Sequence, residues 1–350
     1  MKRILLSAAL LFLGTCVAHA GELPQPSQAN SISRAVFGDG RLWLLTDDGA
    51  VSAITPGAKL RLPGKLPDRV LDLCATGGVV QLLTCPREGC GTWSLRRLEG
   101  GHWDVIASVA SNGEPVVAAQ CVRPGAMTVL SSGRLVEIEP HATRAVALSG
   151  RLPIEGVASM HATQADVFVG INAGEWGGGL RRIDRQTGKV DAIDRRGHEL
   201  CSGPLNGDCD PVNAIVDDPW KDGCLVVAIG LVHFAPHGRL DEICGDHVDR
   251  LWFRAFPTEG RERKPLPGEE PFRTEAFFGL ARSGSALMAV GLDGLYRFQG
   301  HGEPMRMPLP EFETIDGVAV SFALPDVVLV LTGINQRRSL SGTVPLLVPR

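Results

Sequence analysis

Apolar residues fall in short runs along this chain, and polar turn residues separate them. Leu135-Val-Glu-Ile138 and Leu295-Tyr-Arg-Phe298 alternate with period two and are bounded by Gly and Asp, as half-buried strands are. No segment sustains a helical period with caps at its ends. The runs also repeat. An apolar strand, a turn and a second apolar strand occur at Leu42 to Ile54, Met127 to Ile138, Val167 to Ile183, Leu225 to Phe234 and Leu287 to Phe298. Looser copies run from Val79 to Leu98 and from Val327 to Val348. Their closing apolar residues are Ile54, Leu98, Ile138, Ile183, Phe234, Phe298 and Val348, so successive units lie 40 to 64 residues apart.

An all-β chain with this repeat length predicts a β-propeller. A four-stranded blade cannot bury both faces alone, so blades stack radially around a channel. Seven units predict seven blades; six or eight stay open, because boundaries read from sequence slip by several residues. Ring closure is expected from pairing of Ile32 to Phe37 with the final strand near Leu346 to Val348. The segment from Arg254 to Phe277 is rich in charge and proline and explains the longest spacing. It is expected to be a solvated excursion between blades, with a partner-docking arm as the alternative.

Two phrases, "DVFVGINAGEWGGGLRRIDRQTGKV" and "IVDDPWKDGCLVVAIGLVHFAPHGRLDEI", carry a resemblance. They look like the repeats of two-component-regulator propellers and related WD-like or quinoprotein-like propellers. In those repeats a strand ending in small residues meets a Gly-Leu and then an apolar-Asp or apolar-His turn. The pattern covers most of the chain and is strongest from Gly156 to Gly245. The resemblance implies the fold. The membrane helix and kinase of those sensors have no counterpart in this sequence, so their signalling role is not implied.

The first twenty residues place Lys2 and Arg3 before an apolar run from Ile4 to Leu13 and end in Ala18-His-Ala20. That order is a secretory signal peptide, with cleavage expected after Ala20. Leu13-Gly-Thr-Cys16 also resembles a lipoprotein box, but Thr15 stands where such a box asks for a smaller residue. The mature chain, residues 21–350, is then expected to form one exported propeller domain, periplasmic or secreted, with no further run long enough to span a bilayer. The formal charge is −4 for the whole chain and about −6 once Lys2 and Arg3 are removed. An acidic chain without a basic stripe argues against nucleic acid as a partner.

Eight cysteines remain after residue 20, an even number suited to an oxidising compartment. Local spacing suggests Cys85 with Cys90, Cys201 with Cys209 and Cys224 with Cys244, which leaves Cys74 with Cys121. A zinc site is disfavoured because no CxxC occurs.

The glycine-rich stretch Gly174-Glu-Trp-Gly-Gly-Gly179 is not followed by a helix, so no helix N-terminus is available to face a phosphate. It reads as a hairpin in which only Glu175 and Trp176 exceed what a blade needs. Asn206, Asp208 and Asp210 alternate like the opening of a calcium loop, with Asp217 at the twelfth position. Pro211, however, stands where that loop needs Gly, and Asp217 where a bidentate Glu is usual. Gluconolactonase-type propellers hold a divalent metal in the channel through one Glu, Asn residues and an Asp. That comparison implies Glu175, Asp210, Asn213 and Asp293 as a ligand set, with a metal-activated water attacking a lactone or ester. His233 and His237 cannot share a helical face across Pro236, and His198 reads as a loop residue. No GxSxG nucleophile elbow occurs.

The sequence therefore predicts an exported, non-catalytic binding or scaffold propeller that needs no cofactor. It would recognise a protein or glycan through loops of one face, with Glu175, Trp176, Asp210 and Asn213 as candidate contacts. The alternative is a hydrolase or lyase using a divalent metal such as calcium at the channel.

Overall fold

The computed structural model describes residues 32–55, 66, 68–197, 203–233, 235–257, 271, 273–314, 317–332 and 344–350. The signal segment, Cys201, His198, Phe234 and most of the excursion, 258–270 and 272, lie outside the described residues.

Seven antiparallel sheets form seven blades. Blade 1 holds β1 (Ile32–Gly38), β2 (Arg41–Thr46) and β3 (Val51–Ile54). Blade 2 holds β4 (Arg69–Thr76), β5 (Val79–Cys85), β6 (Thr92–Glu99) and β7 (His102–Ala110). Blade 3 holds β8 (Val116–Arg123), β9 (Ala126–Ser131), β10 (Arg134–Ile138) and β11 (Thr143–Ala147). Blade 4 holds β12 (Val157–Ala162), β13 (Asp166–Asn172), β14 (Gly178–Asp184) and β15 (Val190–Ile193). Blade 5 holds β16 (Val212–Asp217), β17 (Cys224–His233), β18 (Ala235–Cys244) and β19 (His247–Trp252). Blade 6 holds β20 (Phe277–Ser283), β21 (Ala286–Gly291), β22 (Gly294–Phe298) and β23 (Met305–Pro308). Blade 7 holds β24 (Val318–Ser321), β25 (Val327–Thr332) and β26 (Val344–Pro349). None of the described helices is long and apolar enough to cross a membrane.

Stacking explains why the middle strands read as unbroken apolar runs. In β17, Leu225, Val227 and Ile229 pack with Phe168 and Leu180 of blade 4, while Val226 and Ala228 pack with Phe277, Leu287 and Tyr296 of blade 6. Period two persists, but both faces are buried, so both sets of alternate residues are apolar. Each such Val or Ile contributes about 1.5–3 kcal/mol through burial.

Six of the seven innermost strands share a bulge. The ladder between first and second strands skips one residue on the inner strand at Ser33, Leu71, Val117, Ala158, Asn213 and Phe278. Each skipped residue sits near the start of its strand. Such bulges bend a strand and increase its twist where it meets the rim.

Every blade begins at its inner strand. The turns between second and third strands therefore share one face with the connections between blades. This entry face contrasts with the exit face, which carries the turns between first and second and between third and fourth strands. The Asp39 N–H donating to the Gly78 carbonyl at 2.9 Å joins two exit-face turns of neighbouring blades.

Two expectations are corrected here. Among the described residues β1 pairs only with β2, and β26 only with β25, so Ile32 to Phe37 does not pair with Leu346 to Val348. Blades 7 and 1 meet instead through Ala35, Leu329 and Leu331, with the Ser321 hydroxyl donating to the Ala35 carbonyl at 3.0 Å. The other correction is to the repeat unit ending at Phe234. The third strand of blade 5 is β18, where buried Ile243 is the counterpart of Ile183 and Phe298. The unusually long β17–β18 hairpin displaced the count.

Three expected disulfides are present. Cys74–Cys121 joins the inner strands of blades 2 and 3, Cys85–Cys90 closes an entry-face turn, and Cys224–Cys244 spans opposed residues of β17 and β18. The fourth expected pairing rests on Cys201 and so falls outside the described residues.

Candidate functional site

The turn between β13 and β14 is a short 3-10 segment, Gly174–Trp176. Asn172 anchors it: the side-chain oxygen accepts from the Gly174 N–H at 2.9 Å, and its amide donates to Asn213 Oδ1 at 2.6 Å. Gly174 and Gly177 take positive φ, at 63° and 110°, as the reversal requires. Gly178 serves close approach instead. A Cβ there would lie 2.5 Å from the Ile171 carbonyl and 2.6 Å from that of Asp210, because the 203–211 connection packs across the hairpin. The N–H groups of Gly178 and Gly179 donate to the carbonyls of Gly207 and Asp210 at 3.1 and 2.7 Å. They are not available to an anion, which agrees with reading the stretch as a hairpin.

This bracing leaves two side chains at the surface. Trp176 is 84% exposed. Glu175 Oε2 lies 3.1 Å from His233 Nδ1 at the tip of the neighbouring hairpin, so the entry-face turns of blades 4 and 5 touch.

Asp210 and Asn213 do different work. Asp210 is 1% exposed; its oxygens accept from the Arg239 guanidinium at 2.6 and 3.1 Å and from the Asn206 N–H at 2.6 Å, with His237 Nε2 at 3.4 Å. Burial alone would raise its pKa, but His237, Arg239 and Asn206 together hold it below the ordinary carboxylate value. Arg239 also donates to Asp241 at 3.0 Å. Burial raises Asp241 to about 7, since Arg239 only partly offsets it and the charge on Asp210 adds to the rise. Asn213, a bulge residue, donates its amide to the carbonyls of Gly230 at 2.7 Å and Phe277 at 2.8 Å. With Asn172 as donor to its oxygen, it bridges blades 4, 5 and 6.

Asp293 lies in the turn between β21 and β22. It accepts from Arg254, from Arg306 at 2.8 Å and from the Tyr296 hydroxyl at 2.6 Å. Its N–H donates to buried Glu275, whose pKa burial drives upward. Glu275 also accepts from Arg254 at 2.9 Å. Ala255 and Thr274 bridge antiparallel nearby, so the excursion is closed at its base.

Glu175, Asp210, Asn213 and Asp293 thus lie at one face but do not assemble. Guanidinium groups occupy Asp210 and Asp293, backbone carbonyls hold the Asn213 amide, and Glu175 pairs with His233. The calcium-like alternation is likewise dispersed. Asn206 Oδ1 accepts from the Asp208 N–H at 3.0 Å, Asp208 pairs with Arg196, and Asp217 pairs with His161 at 2.9 Å.

Sequence reasoning missed a cavity of about 860 Å³ on the entry face of blades 1 to 3. Ser33, Arg69, Leu71, Trp93, Glu114 and Val116 line it, several from the starts of β1, β4 and β8. The nearest sequence signal was the Cys85-to-Cys90 turn, whose Cys90 also lines the wall.

No protein-family model matches the chain, and no curated protein matches it. Solved structures do. The extracellular domain of the one-component system BT4673 from B. thetaiotaomicron is similar with a TM-score of 0.52 and 13% identity over 88% of this chain. This chain covers 38% of that one. YCF48 bound to D1 peptide is similar with a TM-score of 0.51 and 11% identity, over 86% of this chain and 90% of that one. Identities this low establish the fold alone: the chain is a seven-bladed β-propeller.

Proposed function

We propose that this protein is an exported, non-catalytic binding module that takes a segment of a protein partner across its entry face. The carrying observation is Trp176, a large aromatic side chain left 84% exposed on a turn that is hydrogen-bonded from beneath. A rigid aromatic anchor loses little conformational entropy on binding, which is why tryptophan dominates interface hot spots. Glu175 and His233 beside it supply a polar rim, and the cavity over blades 1 to 3 provides concave space on the same face. The peptide bound to the similarly folded YCF48 is consistent with this use of a propeller. Disulfides support an oxidising destination, and N-terminal sequencing of the mature protein should begin at Gly21.

A photo-crosslinking residue at exposed position 175, which leaves Trp176 in place, expressed in the source cell, tests the reading. One protein adduct is expected there, and none from a crosslinker at exposed Met305 on the outer strand of blade 6. Absence of an adduct at 175, or equal labelling from both positions, would overturn it. An adduct abolished by glycosidase would shift the partner class to a glycan.

A further inference from the structure

The exit face carries a second cluster, remote from Trp176. Asp218 follows β16, Glu242 lies near the end of β18, and His301 sits in the turn between the third and fourth strands of blade 6. One ligand atom from each lies within 4.8 Å of the other two. Asp218 is 3% exposed and Glu242 5%, yet Asp218 Oδ2 and Glu242 Oε2 have no hydrogen-bond partner. Native proteins rarely leave such atoms unsatisfied unless a water or ion belongs there. Their other oxygens are used: Asp218 Oδ1 accepts from the Trp220 N–H at 2.7 Å and Glu242 Oε1 from Lys221 at 2.7 Å. His301 Nε2 lies 3.8 Å from Glu242 Oε2, and its ring packs 5.5 Å from Trp220, which in turn donates to the Ser285 carbonyl.

We infer that Asp218, Glu242 and His301 form a divalent-cation site that ties blade 5 to blade 6. Two buried carboxylates side by side must share either a proton or a cation, and the imidazole that completes the set favours the cation. Lys221 serves only the far oxygen of Glu242. An imidazole with two carboxylates favours zinc over calcium, whose ligands are oxygens. Three protein ligands leave a fourth position for water. Adjustment of the three ligands around an ion falls to His301, which is exposed and lies on a turn.

The full mature chain, stripped with chelator and titrated with ZnCl2 by calorimetry, is expected to take up about one ion. D218N, E242Q and H301A are each expected to weaken that event at least tenfold, the scale of losing a ligand contact. His301 lies on an exposed turn but packs on Trp220, so thermal melting of the metal-free H301A chain, expected to match the metal-free wild type, separates loss of a ligand from a fold defect. H247A removes a separate exposed His247–Asp249 pair and should leave the event unchanged. No stoichiometric uptake, or uptake that survives D218N and H301A, would overturn the assignment. Anomalous scattering at the zinc edge, located between Asp218 and His301, would give independent support; a peak elsewhere alone would refute it.

Discussion

Arg239 carries one positive charge between two buried carboxylates, and that shortage decides how the 203–211 connection responds to pH. Asp210 receives two guanidinium contacts and a backbone N–H, whereas Asp241 receives one and has an unpartnered Oδ1. The proton therefore resides on Asp241, raised to about 7. A carboxylate raised on folding gives stability that is complete below its unfolded pKa, about 4, and is lost as pH rises through the folded value. Urea denaturation at several pH values should show wild type losing stability relative to D241N between about pH 4 and pH 7. Asp210 has the opposite sign: its depressed pKa gives stability present above about pH 4 and lost in stronger acid. D210A leaves Arg239 short of its main partner and is expected to cost about 3 kcal/mol at neutral pH.

Strand-level features were unevenly legible in the sequence. Second and third strands of the blades, such as β9 with β10 and β21 with β22, announced themselves because their apolar runs keep period two on both buried faces. Inner strands did not. Val70 and Leu73, Val212 and Ile215, and Phe277 and Leu280 are buried residues three apart, a spacing that a bulge creates and that breaks the period-two template of a strand. The same gap explains the candidate site. Glu175 and Trp176 stood out as surplus to a turn, whereas the bridging by Asn213 depends on the inner-strand bulge, and Asp210 on Arg239, twenty-nine residues away. Disulfide spacing was more direct, and the bridges should differ in weight. C74A/C121A opens a loop with a separation of 47 residues and is expected to cost about 3–4 kcal/mol in thermal or urea unfolding. C85A/C90A, with a separation of 5, should cost markedly less.

For the ring as a whole, the contact between blades 7 and 1 closes the circle through side-chain packing. As at the other joints among the described strands, no ladder crosses it, and Leu329 and Leu331 fill it, each 2% exposed. L331A is expected to cost about 2–5 kcal/mol in equilibrium unfolding. W176A, on a side chain that touches mainly solvent, should change stability by less than about 0.5 kcal/mol while removing partner adducts. That contrast separates what the ring needs from what its face presents.

The bulges at the starts of six inner strands have a consequence for how such a ring can change over evolutionary time. A skipped residue has no opposite number in the ladder, so replacing it forfeits no paired position. Ser33, Leu71, Val117, Ala158, Asn213 and Phe278 already span hydroxyl, aliphatic, amide and aromatic chemistry. Asn213 is tied down by the three blades it bridges, Ser33 by donating to the Leu45 carbonyl at 3.1 Å, Phe278 by burial against Phe312, and Leu71 and Val117 by packing on blade cores. Exposed Ala158 is left as the position at which the same scaffold could acquire a new specificity without renegotiating its fold.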